Sequence, residues 1–127
     1  MREILFRGKS VDNGKWIEGE LLHDMKNRPH IYWTTPKELP VFFSNNAIVI
    51  PETVGQYTGL QDKNSKKIFE GDICKDSLGT LFVVEYDEDN ARFIGRTTEN
   101  KLVYVGREPR VEVIGNIYSN PGLLEVE

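Results

Sequence analysis

Residues 69–118 read FEGDICKDSLGTLFVVEYDEDNARFIGRTTENKLVYVGREPRVEVIGNIY. Runs rich in Val, Ile, Phe and Tyr at 69–75, 79–87, 91–97, 101–105 and 111–118 alternate with polar breaks. The breaks are Asp76-Ser77, Asp87-Glu88-Asp89-Asn90, Thr98-Glu99-Asn100 and Gly106-Arg107-Glu108-Pro109-Arg110. β-Branched and aromatic side chains suit a pleated, half-buried surface, whereas Gly, Asn and Asp accept tight-turn backbones. Five short strands at this spacing predict a small antiparallel barrel, closed or nearly so.

Upstream the pattern is also β. Residues 4–7 form a short strand, Asp12-Asn13-Gly14 a hairpin turn suited to positive φ, and residues 15–22 the return strand. Further short strands fall at 30–33 and 47–50, the latter stopped by Pro51, which biases the residue before it to extended geometry. Gly or Pro interrupts nearly every 11-residue window, so helix is confined to single turns at 51–53 and 121–124, the second capped by Asn120. The chain thus reads as all-β, with an N-terminal small antiparallel sheet over 1–59 and the barrel over 60–127, and these parts can share one continuous core.

Lys15-Trp16-Ile17-Glu18-Gly19-Glu20-Leu21 parallels Lys67-Ile68-Phe69-Glu70-Gly71-Asp72-Ile73. Duplication of a hairpin and chance similarity both account for so short a match. In either case each return strand carries a Gly at a place where a bulge or close backbone approach is expected. Between the copies, Tyr57 and Phe69 alternate with polar neighbours as a half-buried cross-strand pair would, and Gly55, Gly59 and Gly71 with Asp62-Lys63-Asn64 fit two turns around a short hairpin.

Composition narrows the function. Of 127 residues, 39% are apolar and 13 are Phe, Tyr or Trp, which is enough to build a core and unlike a disordered chain. No apolar run approaches the roughly 20 residues of a membrane span. The N-terminus lacks the apolar core of a signal peptide, Cys74 has no partner for an internal disulfide, and no N-x-S/T sequon occurs. A cytoplasmic protein is expected.

Chemistry-bearing constellations are sparse. His23, His30, Asp24 and Cys74 stand at no spacing that zinc sites reuse, and Cys74 reads as a buried small hydrophobe. Residues 87–90 lack the Gly and distal Glu of a calcium loop, and no G-x-x-x-x-G-K phosphate loop exists. Glu18, Glu20, Glu70 and Asp72 occupy matching repeat positions; they read first as edge-protecting charges and second as a divalent-ion or acid–base set. No catalytic residue, metal site or cofactor is assigned.

Charge is the more telling feature. The net charge is −4, but residues 70–89 carry seven acids and one base while residues 90–111 carry five bases and two acids. An acidic and a basic side suit head-to-tail self-association or a one-sided interface. Arg92, Phe93, Arg96, Tyr104, Arg107 and Arg110 form the candidate interaction surface, because guanidiniums beside aromatic faces are the elements of recognition platforms, single-strand nucleic acid included. The bland reading sets Phe93 and Tyr104 in the core and pairs the arginines with nearby acids.

The stretches PETVGQYTGLQDKN at 51–64 and KIFEGDI at 67–73 closely resemble the YopX family of bacteriophage and prophage proteins. Residues 4–8 and 14–19 near the start, and VIGNIYSNP at 113–121, also match its pattern; residues 23–43 do not. The resemblance implies a small β-rich protein with an SH3-like barrel in its second half, encoded by phages or prophages of Gram-positive bacteria. It carries no catalytic residues over. The expectation is a non-enzymatic accessory protein, a homo-oligomeric β module binding a host or phage protein; the alternatives are nucleic-acid binding through the Arg92–Arg110 side and, last, a metal-dependent enzyme.

Overall fold

In the computed structural model, which describes residues 3–33, 45–107 and 110–125, strands organise into antiparallel sheets and the helical content is short 3-10 turns. The chain divides into two compact units, Met1–Gln56 and Tyr57–Glu127.

The first unit contains β1 (Phe6–Lys9), β2 (Trp16–His23), β3 (Pro29–Trp33) and β4 (Asn45–Ile48), hydrogen-bonded in the order β4-β3-β2-β1. Gly55 and Gln56, which open β5 (Gly55–Gln61), pair with Arg7 and Phe6. Ile31 and Val49 are fully buried, and Gly8 admits Val49 so closely that a Cβ there would lie 2.9 Å from it. The turn at Pro51–Thr53 forms where Pro supplies a helical φ, and Thr53 Oγ1 accepts the Lys9 N–H at 2.9 Å.

In the second unit the rest of β5 meets β6 (Lys67–Phe69). Tyr57 and Phe69 are register partners with rings 5.5 Å apart, a pair as their alternation predicts, but both are buried where half-burial was expected. Strands β7 (Asp72–Lys75), β8 (Leu81–Asp87), β9 (Arg92–Thr97), β10 (Leu102–Val103) and β11 (Glu112–Asn116) form a five-stranded sheet ordered β10-β9-β8-β7-β11. Its core is Ile68, Cys74, Phe82, Val84, Val105, Val111 and Val113, with Val103 packed against them. The sheet is open, not closed: β10 is two residues long, the chain leaves it into a 3-10 turn at Val105–Arg107, and β10 and β11 remain its edges.

Four hairpin connections share one design. At 24–28, 62–66, 76–80 and 97–101 the first residue's N–H donates to the fifth carbonyl, and the fourth N–H donates back to the first carbonyl. The first side chain, Asp24, Asp62, Asp76 or Thr97, accepts the fifth N–H at 2.9–3.0 Å. The fourth residue takes positive φ: Asn27 at 61°, Ser65 at 65°, Gly79 at 84° and Asn100 at 64°. This is a three-residue loop with a left-handed closing residue, and a short acceptor at its first position makes it self-contained.

The sequence repeat does not carry into structure. Residues 16–21 run within one continuous strand, whereas 67–73 break at Glu70-Gly71 between β6 and β7, so the single strand expected over 69–75 is two. Gly71 has φ 91° and Asp72, fully buried, accepts the Phe69 N–H at 2.8 Å to close the turn. Asn120 also departs from expectation: it precedes the terminal 3-10 turn without capping it, and its Oδ1 accepts the Asn116 N–H at 3.2 Å.

Candidate interaction surface

Register sorts the predicted surface residues onto two faces. Phe82↔Thr97, Val84↔Gly95 and Tyr86↔Phe93 share the core side, while Val83↔Arg96, Glu85↔Ile94 and Asp87↔Arg92 share the other. Phe93 therefore leaves the group; it is half-buried, with its ring 5.1 Å from Tyr86. Arg92 and Arg96 stay together, two residues to either side of the buried Ile94 on the same face.

Both guanidiniums are already engaged. Arg92 Nε donates to Asp87 Oδ2 at 3.1 Å, and its guanidinium lies 5.2 Å from the Tyr104 ring centroid. Arg96 Nε donates to Glu85 Oε1 at 2.6 Å and Nη1 to Asn100 Oδ1 at 3.2 Å. Asn90 Nδ2 and Arg92 hold the Asp87 carboxyl below its usual range, and Asp87 in turn raises the Arg92 guanidinium. Solvent screens such exposed pairs, so their main effect is to hold the side chains in place and cancel charge. The segregated acids and bases of the sequence thus meet across the β8–β9 ladder. Leu102, opposite Arg96, is 38% exposed and Tyr104 47% exposed, which leaves an aromatic and an aliphatic side chain standing beside fixed arginines. Arg110 is exposed in the turn before β11; Arg107 lies in the 3-10 turn, with its side chain outside the described part of the structure.

The acidic candidates separate. Glu18 and Glu20 are exposed on β2 in the first unit; Glu70 and Asp72 are in the second, where Asp72 is buried and spent on the Phe69 N–H. Among the described residues no group of three His, Cys, Asp or Glu is placed to hold a metal ion. Cys74 is fully buried in the core cluster, the small hydrophobe its sequence reading expects. No helix of the described residues is long and apolar enough to cross a membrane.

A polar cluster in the first unit was not anticipated. His30 Nε2 lies 2.8 Å from Asp24 Oδ2 and its Nδ1 lies 3.0 Å from Asn46 Oδ1, while Arg28 Nε donates to Asp24 Oδ2 at 2.7 Å. The readable signal was the turn, Asp24 first and Asn27 fourth, which lifts a carboxylate beside the start of β3.

The fold is that of a small all-β protein built on antiparallel sheets, neither of them closed. The chain belongs to the YopX family: the family model described as "YopX protein" matches residues 5–125. Among solved structures it is similar to the crystal structure of protein EF1440 from Enterococcus faecalis, with 25% identity and a TM-score of 0.60 over 98% of this chain and 100% of that one. No curated protein matches the chain.

Proposed function

We propose that this chain is a non-enzymatic binding module whose partner is protein, first a second copy of itself, and whose contact surface is the β8–β10 face. The observation that carries the reading is the set Arg92, Arg96, Leu102 and Tyr104, held on one rigid face with both guanidiniums neutralised by Asp87 and Glu85. Arg and Tyr dominate the energetic centres of protein interfaces, and prefixed side chains lower the entropy cost of binding. A phosphate backbone would instead be drawn to cations without carboxylate partners. The setting in a phage or prophage, with a phage or host protein as further partner, rests on the family resemblance.

Sedimentation velocity over a hundredfold concentration range tests this. The expected result is reversible association that Tyr104→Ala and Leu102→Ser weaken tenfold or more while leaving the melting temperature nearly unchanged. A monomer at every concentration, or variants that associate like the parent, would overturn it.

A further inference from the structure

The His30 cluster sits where an outer strand is fastened. β4 is the outermost strand of its sheet order, paired with β3 through His30↔Ile48, Ile31↔Ala47, Tyr32↔Asn46 and Trp33↔Asn45. His30 reaches from β3 in two directions: to Asp24 of the β2–β3 turn and to Asn46 of β4. Both of the atoms it meets are acceptors. A neutral imidazole has one N–H and can satisfy one of them; the imidazolium has two and satisfies both.

The charged surroundings favour the second proton. Asp24 Oδ1 accepts the backbone N–H groups of Arg28 and Lys26, which with His30 keeps that carboxylate ionised. From β2, Leu22 faces His30 and Glu20 faces Tyr32, whose ring stacks on His30 at 6.1 Å; from β4 the facing groups are Asn46 and Ile48. Among the described residues the cation that bears on His30 is Arg28, and its Nε is directed at Asp24.

We propose that His30 is a pH-sensitive fastener: with both ring nitrogens protonated it pins β4 to the β2–β3 hairpin, and on losing one proton to solvent it loosens β4. The remaining proton stays on Nε2, facing the Asp24 carboxylate. The bare Nδ1 then faces Asn46 Oδ1, lone pair against lone pair, and the contact survives only if the Asn46 amide turns half round. After that the start of β4, Asn45–Ala47, keeps only its main-chain ladder to β3, while its end stays tied by the Val11 N–H to the Ile48 carbonyl and by the buried Val49 that follows. A freed outer strand offers its backbone to another strand, so the device would regulate edge pairing without moving the rest of the sheet.

The test is amide hydrogen exchange from pH 5 to 9, normalised to intrinsic rates, with the His30 ring titrated in parallel by NMR. The expected result is that protection of β4 relative to β1–β2 falls as His30 deprotonates. The fall is up to tenfold for each pH unit by which the His30 midpoint exceeds the ordinary histidine value. In His30→Gln the ratio should be flat with pH. Asn46→Ala, which leaves the turn and the ring intact, should lower the His30 midpoint. A protection ratio independent of pH in the parent chain, or an unmoved midpoint in Asn46→Ala, would overturn the proposal.

Discussion

Asp62 and Val113, 51 residues apart, are joined by a 2.9 Å hydrogen bond from the Val113 N–H to Asp62 Oδ2. The other oxygen of the same carboxylate accepts the N–H groups of Asn64 and Lys66, and the Lys63 N–H donates to the Val111 carbonyl. One turn thereby satisfies itself and covers the outer backbone of β11, an edge that would otherwise present unpaired groups.

Removing that carboxylate should be costly. Asp62→Ala leaves the buried Val113 N–H without its acceptor and is expected to destabilise by about 2–4 kcal/mol in denaturant unfolding. Asp62→Asn should recover little, because orienting its oxygen to the turn sets its NH2 against the Val113 N–H. Burial works against the Asp62 charge, but the N–H groups of Val113, Lys66 and Asn64 outweigh it and hold the carboxyl below its ordinary 3.8. A depressed folded value means stabilisation that is complete above pH 3.8 and lost as pH falls through the folded value. The acid limb of the melting curve should therefore be flatter in Asp62→Ala.

Ser65 closes the same turn at φ 65°, a conformation that strains an L side chain by about 1–2 kcal/mol. Ser65→Gly should stabilise by about 0.5–1 kcal/mol after the added chain entropy of glycine is counted. Gly79→Ala, at the same position of the 76–80 turn with φ 84°, should do the opposite. Equal and unchanged melting temperatures for both variants would refute this account of the turns.

Gly19 and Gly71 look equivalent in sequence and should fail for different reasons. A Cβ on Gly19 would lie 2.0 Å from the Tyr32 carbonyl oxygen, a backbone clash that no rotamer relieves. Gly71 is needed for its φ of 91°. Gly19→Ala is expected to cost about 3 kcal/mol or more, and Gly71→Ala about 1–2 kcal/mol. A D-alanine at 71, introduced by semisynthesis, should restore stability because it favours positive φ; at 19 it should not.

Neutralised arginines also predict weak affinity for nucleic acid. Fluorescence anisotropy with a single-stranded oligonucleotide at low salt should show no saturable binding in the micromolar range, and Glu85→Gln with Asp87→Asn should raise it by releasing Arg96 and Arg92. Tight, salt-sensitive binding by the parent chain would favour the nucleic-acid reading over the protein-binding one.

Local information was enough for most of the strand pattern. The runs at 79–87 and 91–97 and the turn at 87–90 follow from alternation and turn chemistry, which act over a few residues. The Tyr57–Phe69 pair followed from the same rule. The break at Glu70-Gly71 was hidden because Gly19 and Gly71 sit in nearly identical strings, and what separates them is tertiary: a close backbone approach at 19 and a positive φ at 71.

By itself the sequence determined an all-β chain, a buried Cys74 and membership of the YopX family, because composition, period-two alternation and motif wording are properties of the string. The tertiary structure alone decided which residues share a face. It sent Phe93 to the core side and Arg92 to the other, joined Asp62 to Val113, and set His30 between Asp24 and Asn46. The physical reason is register: a shift of one residue turns every side chain of a strand to the opposite face, and register is set by contacts between segments far apart in the chain.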